Sequence, residues 1–211
     1  MKTITFYLDF ISPYAHLAFE ALPHALKDHP VQVIYKPVLF AAMLKHHGQL
    51  GPAEITGKRE WTYRQVLWHA HRLGLDMQMP QTHPFNPLAL LRLALACGQD
   101  AAVSREVCAQ IFQHVWAGGA DAQDMSRLAD LTARLCPSVA VDSQTVKDQL
   151  KDNTQEALTL GVFGVPTMCV DDKVFWGFDA LPMLQSYLSG DAWFDGPWDA
   201  AGRVAVGVTR A

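Results

Sequence analysis

Residues 3–10 alternate Ile4, Phe6, Leu8 and Phe10 with Thr5, Tyr7 and Asp9, and run almost directly into Ser12-Pro13. A period of two is the signature of a strand. Serine is a favoured helix N-cap and proline a favoured first helical residue, so a helix is expected from here to about Lys27. Val31 to Leu39 (VQVIYKPVL) reads as a second strand, with Pro37 marking an edge position or the strand's end. Strand, helix, strand with a short final connection is a parallel β-α-β unit. That opening confines the chain to an α/β fold.

From about Ala41 to Leu160 the pattern becomes helical. Leu88, Leu91 and Leu95, then Val103, Val107, Ile111 and Val115, then Leu128, Leu131 and Leu135 recur every three or four residues. The loop at 80–87 (PQTHPFNP), Gly118-Gly119 and Cys136-Pro137 interrupt the pattern. Strand signals return in VPTMCV and KVFW on either side of Asp171-Asp172, a short turn suited to an antiparallel hairpin. A closing helix is expected over 179–188, beginning near Asp179. The order β-α-β, helical block, helix, β-β-α is that of a thioredoxin-like domain with a large all-helical insertion. The expected division is 1–40 with 155–190 for the thioredoxin-like domain, 41–154 for the insertion, and 191–211 for a tail without assignable structure.

Composition limits the partners. Half of the 211 residues are hydrophobic and 18% are charged, enough to bury a core. The net charge is −4, without the basic face of a nucleic-acid binder. MKTITFYLDF offers no continuous apolar leader, and LALLRLALAC is too short for a membrane span. A soluble cytoplasmic protein is the expectation. The four cysteines, Cys97, Cys108, Cys136 and Cys169, form no C-x-x-C and no zinc pairing. They suit apolar core positions better than nucleophilic ones. Nine histidines contain no H-E-x-x-H, so no metal site is expected.

Two segments carry the chemistry. Ser12-Pro13-Tyr14-Ala15 lies where a redox member of this fold holds its C-x-x-C, with Ser12 and Ala15 in place of the two thiols. A hydroxyl and backbone N–H groups at a helix N-terminus make an anion site, although a plain N-cap explains Ser12 equally well. In GVFGVP, a cis bond at Pro166 would turn the Val165 N–H and C=O towards an extended ligand, whereas a trans bond would merely open a strand.

FYLDFISPYAHLA, HPFNPLALLRL and GVFGVPTMCVDDKVFWGFDAL, in that order, resemble the 2-hydroxychromene-2-carboxylate isomerases, relatives of the kappa-class glutathione transferases. The resemblance implies glutathione as a cofactor that is not consumed. By matching motifs, Ser12 holds and activates its thiolate, Val165 and Pro166 meet its cysteinyl backbone, and Asp179 faces the γ-glutamyl ammonium. Gln49 lies near a family asparagine. Many relatives have Asp-Arg where this chain has Asp179-Ala180, so the guanidinium for the γ-glutamyl end is missing.

The implied reaction opens a cyclic hemiketal and converts the cis ortho-hydroxybenzylidenepyruvate to trans. Conjugate addition of a thiolate removes the double bond, rotation follows, and elimination returns the thiol. No electrons are exchanged, so a resolving cysteine is unnecessary. The substrate, an aromatic keto acid, needs groups for its carboxylate and enolate; Asn86, Lys36 and Lys58 are the candidates, and each lysine could equally be a solvated charge. Homodimers are common among relatives. The alternatives are a kappa-type glutathione transferase or peroxidase, and a non-catalytic thiol- or peptide-binding module.

Overall fold

The computed structural model describes residues 1–98 and 102–208. β1 (Lys2–Leu8), α1 (Pro13–Leu26) and β2 (Val31–Pro37) form the expected unit. β1 pairs in parallel with β2, Phe6 opposite Tyr35. β2 ends at Pro37, which has no N–H for a ladder, although Val38 N–H still reaches Leu8 O at 2.9 Å. β3 (Thr167–Val170) runs antiparallel to β1, and β4 (Lys173–Trp176) returns antiparallel to β3. The sheet order is β2-β1-β3-β4, so β2 is an edge strand. Asp171 turns the hairpin with φ 53°. This is the thioredoxin-like fold with its helical insertion.

The alternation in β1 has a different meaning from a half-solvated strand. Ile4, Phe6 and Leu8 pack with Leu17, Phe19 and Leu22 of α1. On the other face Tyr7 packs with Val38, Met43, Ala157, Val162 and Val165. Tyr7 and Asp9 are both fully buried. The reason is a second cover: α2 (Phe40–His46) and α7 (Gln144–Thr159) close the face that the polar half of the alternation leaves open.

The insertion consists of α2, α3 (Lys58–Leu73), α4 (Leu88–Ala96), α5 (Arg105–Trp116), α6 (Met125–Leu135) and the start of α7. α4 buries Leu90, Leu91 and Leu93 through Ala96, the fate of the short apolar run. α7 continues to Thr159, so the expected boundary at 154 falls inside a helix whose Ala157 belongs to the sheet's core. No helix among the described residues is long and apolar enough to cross a membrane.

Two further expectations need correction. Asp179 lies in a 3-10 turn, Phe178–Ala180, and α8 is Leu181–Leu188. Pro182 sits in the first turn of α8, where its missing N–H is tolerated, and so fixes the start later. The first part of the tail forms a 3-10 turn, Ala192–Asp195, and α9, Pro197–Gly202, while residues 209–211 lie outside the described residues. It docks through aromatic contacts, Phe194 and Trp198 lying 6.0 and 5.5 Å from the Phe175 ring.

Candidate active site

The end of β1 delivers the chain to α1 through a short loop held from several sides. Asp9, fully buried, accepts from Ile11 N–H at 3.1 Å and from Phe40 N–H at 3.0 Å, joining this loop to the start of α2. Burial drives its carboxyl up to about 7, against the pull of N–H donors from Phe40, Ile11 and Phe10. Trp116 donates its indole N–H to Phe10 O at 3.1 Å. His83 Nε2 lies 2.8 Å from Ile11 O. A carbonyl only accepts, so Nε2 carries the proton, and in the neutral ring Nδ1 at 2.7 Å shares the one proton of the Tyr63 hydroxyl with His83 O at 2.9 Å. Burial lowers the His83 pKa, in keeping with that neutral tautomer.

Ser12 therefore enters α1 in a fixed position, with φ −86° and ψ 115°. Its Oγ accepts from Ala15 N–H at 3.2 Å and donates to Val165 O at 3.3 Å. Neither partner is a base, so Ser12 is not arranged as a nucleophile for itself. The Val165-Pro166 peptide bond is cis, as is His83-Pro84. Among the described residues, the N–H groups of Tyr14 and Val165 have no hydrogen-bond partner. One hydroxyl and two backbone donors thus gather at the positive end of a fourteen-residue helix. That set suits a thiolate or another anion carried by an extended ligand.

The Asp179 turn is tied to the same place. Gly177 N–H donates to Pro166 O at 2.9 Å. Gly177 has φ 101°, a backbone conformation that favours glycine, and a Cβ there would displace the Asp179 carboxylate. Asp179 itself is exposed, and with burial, the larger cause, its charge raises the Tyr14 phenol pKa. The Tyr14 hydroxyl donates to Gln65 Oε1 at 2.7 Å, bringing α3 to the site.

Ser12, Val165, Pro166 and Asp179 thus form one neighbourhood. Among the described residues, no hydrogen bond ties the other candidates to it. Gln49 is exposed in the turn after α2, its N–H bonded to Leu44 O. Lys58 is the exposed first residue of α3. Asn86 is exposed, and its Oδ1 accepts from Leu88 N–H at 3.1 Å at the start of α4, leaving the amide NH2 for other partners. Lys36 is occupied: its Nζ meets both Glu156 oxygens at 2.7 and 2.8 Å.

Sequence reasoning passed over Asp9, His83, Trp116 as an indole donor, and the pair Tyr14–Gln65. Asp9 belongs to FYLDFISPYAHLA and His83 to HPFNPLALLRL, but burial and hydrogen-bonding partners, not residue type, mark them. His16 is likewise buried against Trp116 and Phe112, with Nδ1 unpartnered and the pKa pulled down to about 4 by burial.

No hydrogen bond joins a cysteine to Ser12 among the described residues, although Cys169 packs against the cluster that contains Val165. Burial raises the thiol pKa of Cys97 and Cys108, and brings that of Cys169 up to about 11. Cys136 departs from the expected core position: it is exposed, because it ends α6 in the left-handed region with φ 47°. No described group of three His, Cys, Asp or Glu residues is placed to hold a metal.

Residues 3–189 match the DSBA-like thioredoxin domain family. The chain belongs to that family. It is 30% identical to a 2-hydroxychromene-2-carboxylate isomerase of Sphingobium xenophagum, over 89% of this chain and 98% of the relative. It is 26% identical to glutathione S-transferase kappa 2 of Caenorhabditis elegans, over 93% of this chain and 95% of the relative. A solved 2-hydroxychromene-2-carboxylate isomerase shares the fold with a TM-score of 0.78 at 22% identity, covering 93% of this chain and 98% of the other.

Proposed function

We propose that this chain is a glutathione-dependent isomerase that converts 2-hydroxychromene-2-carboxylate, or a related ring-fission hemiketal, to the trans-o-hydroxybenzylidenepyruvate. The observation that carries the reading is the Ser12 hydroxyl beside the unpartnered Tyr14 and Val165 N–H groups at the start of α1. The donors fit glutathione: a hydroxyl and a helix N-terminus for the sulfur, a free backbone N–H for the cysteinyl residue, and a carboxylate for the ammonium. When bound, glutathione supplies the thiolate whose reversible addition β to the ketone turns the double bond into one that can rotate.

The chain's own part is electrostatic and positional. Ser12 turns its O–H from Val165 O to the sulfur, and Tyr14 N–H and the α1 dipole favour the thiolate over the thiol. Val165 pairs with the cysteinyl backbone as an added strand would. Asp179 faces the γ-glutamyl ammonium. The Asn86 amide and the Lys58 ammonium are the groups proposed for the substrate's oxygens; Lys36 is left out because Glu156 already neutralises it. Asp9, His83 and Trp116 hold the loop that places Ser12. A cytoplasmic homodimer is the proposed working form.

Mixing enzyme, glutathione and the hemiketal tests the reading. The ultraviolet spectrum should move to that of the trans product while total thiol stays constant, and dialysed enzyme should be inactive until glutathione returns. Loss of thiol in step with substrate would establish the second reading, a kappa-type transferase, which the 26% identical relative favours. Full activity without any thiol would overturn both.

A further inference from the structure

The 3-10 turn Phe178–Ala180 brings one carboxylate, Asp179, to the site and no cation, since its neighbours are Phe178 and Ala180. An α-amino acid group carries both charges, so a subsite for one needs donors as well as an acceptor. The insertion has such donors on the helix that faces the turn. Gln65 and His69 lie one turn apart on α3 and share a face. Tyr14 fixes the Gln65 amide by donating to Oε1 at 2.7 Å, which leaves its Nε2–H2 group for another acceptor. The His69 ring meets the Phe178 ring edge-on at 5.0 Å, one residue from Asp179. Neither nitrogen of His69 has a hydrogen-bond partner among the described residues. Both side chains are half-buried, so a ligand lodged between α3 and the turn is partly shielded from water.

We propose that Asp179, Gln65 and His69 form a zwitterion subsite, with a ligand's ammonium facing Asp179 and its α-carboxylate facing the Gln65 amide and His69 imidazole. The chemical class is a thiol compound ending in a free α-amino acid, which under the glutathione reading is the γ-glutamyl end. The uncharged residue at 180 then leaves no gap, because α3 of the insertion supplies the carboxylate's donors. The insertion completes the thiol site as well as shaping the substrate's side of it.

The test is calorimetric titration with glutathione and with two analogues: γ-aminobutyryl-cysteinylglycine, which lacks the α-carboxylate, and glutaryl-cysteinylglycine, which lacks the ammonium. Each analogue should bind the wild-type chain about 10-fold more weakly, the size of one lost charge-assisted hydrogen bond. In Gln65→Glu/His69→Ala the handicap of the carboxylate-less analogue should vanish, while that of the amine-less analogue remains. In Asp179→Asn the pattern should reverse. Ratios are taken within each variant, so partial loss of stability does not affect them, and Gln65→Glu alone, which keeps an acceptor for Tyr14 and sets a negative charge against the carboxylate, serves if the double variant does not fold. If glutathione fails to bind the wild-type chain, the glutathione reading falls. If it binds but the handicaps survive in their variants, that reading stands and the subsite is refuted.

Discussion

Two carboxylates flank β1, and they differ in what answers them. Glu156, on α7, is half exposed, accepts from the Tyr7 hydroxyl at 2.6 Å and pairs with Lys36. Burial opposes its charge, but Lys36 and Tyr7 outweigh it and hold the carboxyl below its usual range. Asp9 is fully buried and meets backbone N–H groups alone, so burial wins and its pKa rises. The first cluster is complete within the chain and fastens a helix to the sheet. The second spends buried charge on holding a loop, and that loop ends at Ser12, where donors are left open. A polar group that the fold fully satisfies reads as structure; one held in place beside unsatisfied donors reads as a site.

Breaking the open end should give the largest effect. Ser12→Ala should lower turnover by roughly 10²-fold, the scale of removing one preorganised donor from a developing or bound anion. Its melting temperature should move only a few degrees, since a cap is worth about 1 kcal/mol. Steady-state kinetics beside thermal melting checks both, and unchanged turnover would remove Ser12 from the site.

Next comes Asp9→Asn. An amide has one acceptor and sets its NH2 against backbone N–H groups, so a loss of about 2 kcal/mol is expected, with turnover down about 10-fold as the Ser12 loop loosens. The pH dependence has a definite sign. A carboxyl with a raised pKa binds more protons folded than unfolded, so its stabilising share is full below its unfolded value of 3.8 and is lost as pH rises through about 7. Urea melts from pH 4 to 8 should show the gap between wild type and Asp9→Asn narrowing as pH rises.

This contrast also explains what the sequence made legible. Period-two alternation and Ser12-Pro13 gave the β-α-β opening because local geometry and capping chemistry dictate them. The joining of Ser12 to Val165, 153 residues later, followed once the hairpin order was recognised. Asp9 was legible only as the polar half of an alternation, because nothing local announces that α2 and α7 cover that face. Lys36 looked like a free cation since its partner, Glu156, is 120 residues away. Likewise, no local pattern foretells that Gln65 meets Tyr14, as that contact depends on how the insertion folds back.

The smallest effect belongs to the closed cluster. Glu156→Gln keeps an acceptor for Tyr7 and removes only the charge facing Lys36. With Glu156 at 44% side-chain exposure, water screens the pair, and about 1 kcal/mol or less is expected. Here the sign is opposite to that of Asp9. A carboxyl held below its unfolded value stabilises the fold above about pH 4.5 and loses that share as pH falls further. Wild type should therefore outlast Glu156→Gln in urea at pH 7, and the two should converge towards pH 3. Turnover per folded molecule should stay within about twofold, because a network complete in itself owes nothing to the ligand. A turnover loss approaching that of Asp9→Asn would mean that the two carboxylates are not separable, and that α7 reaches the site through Tyr7.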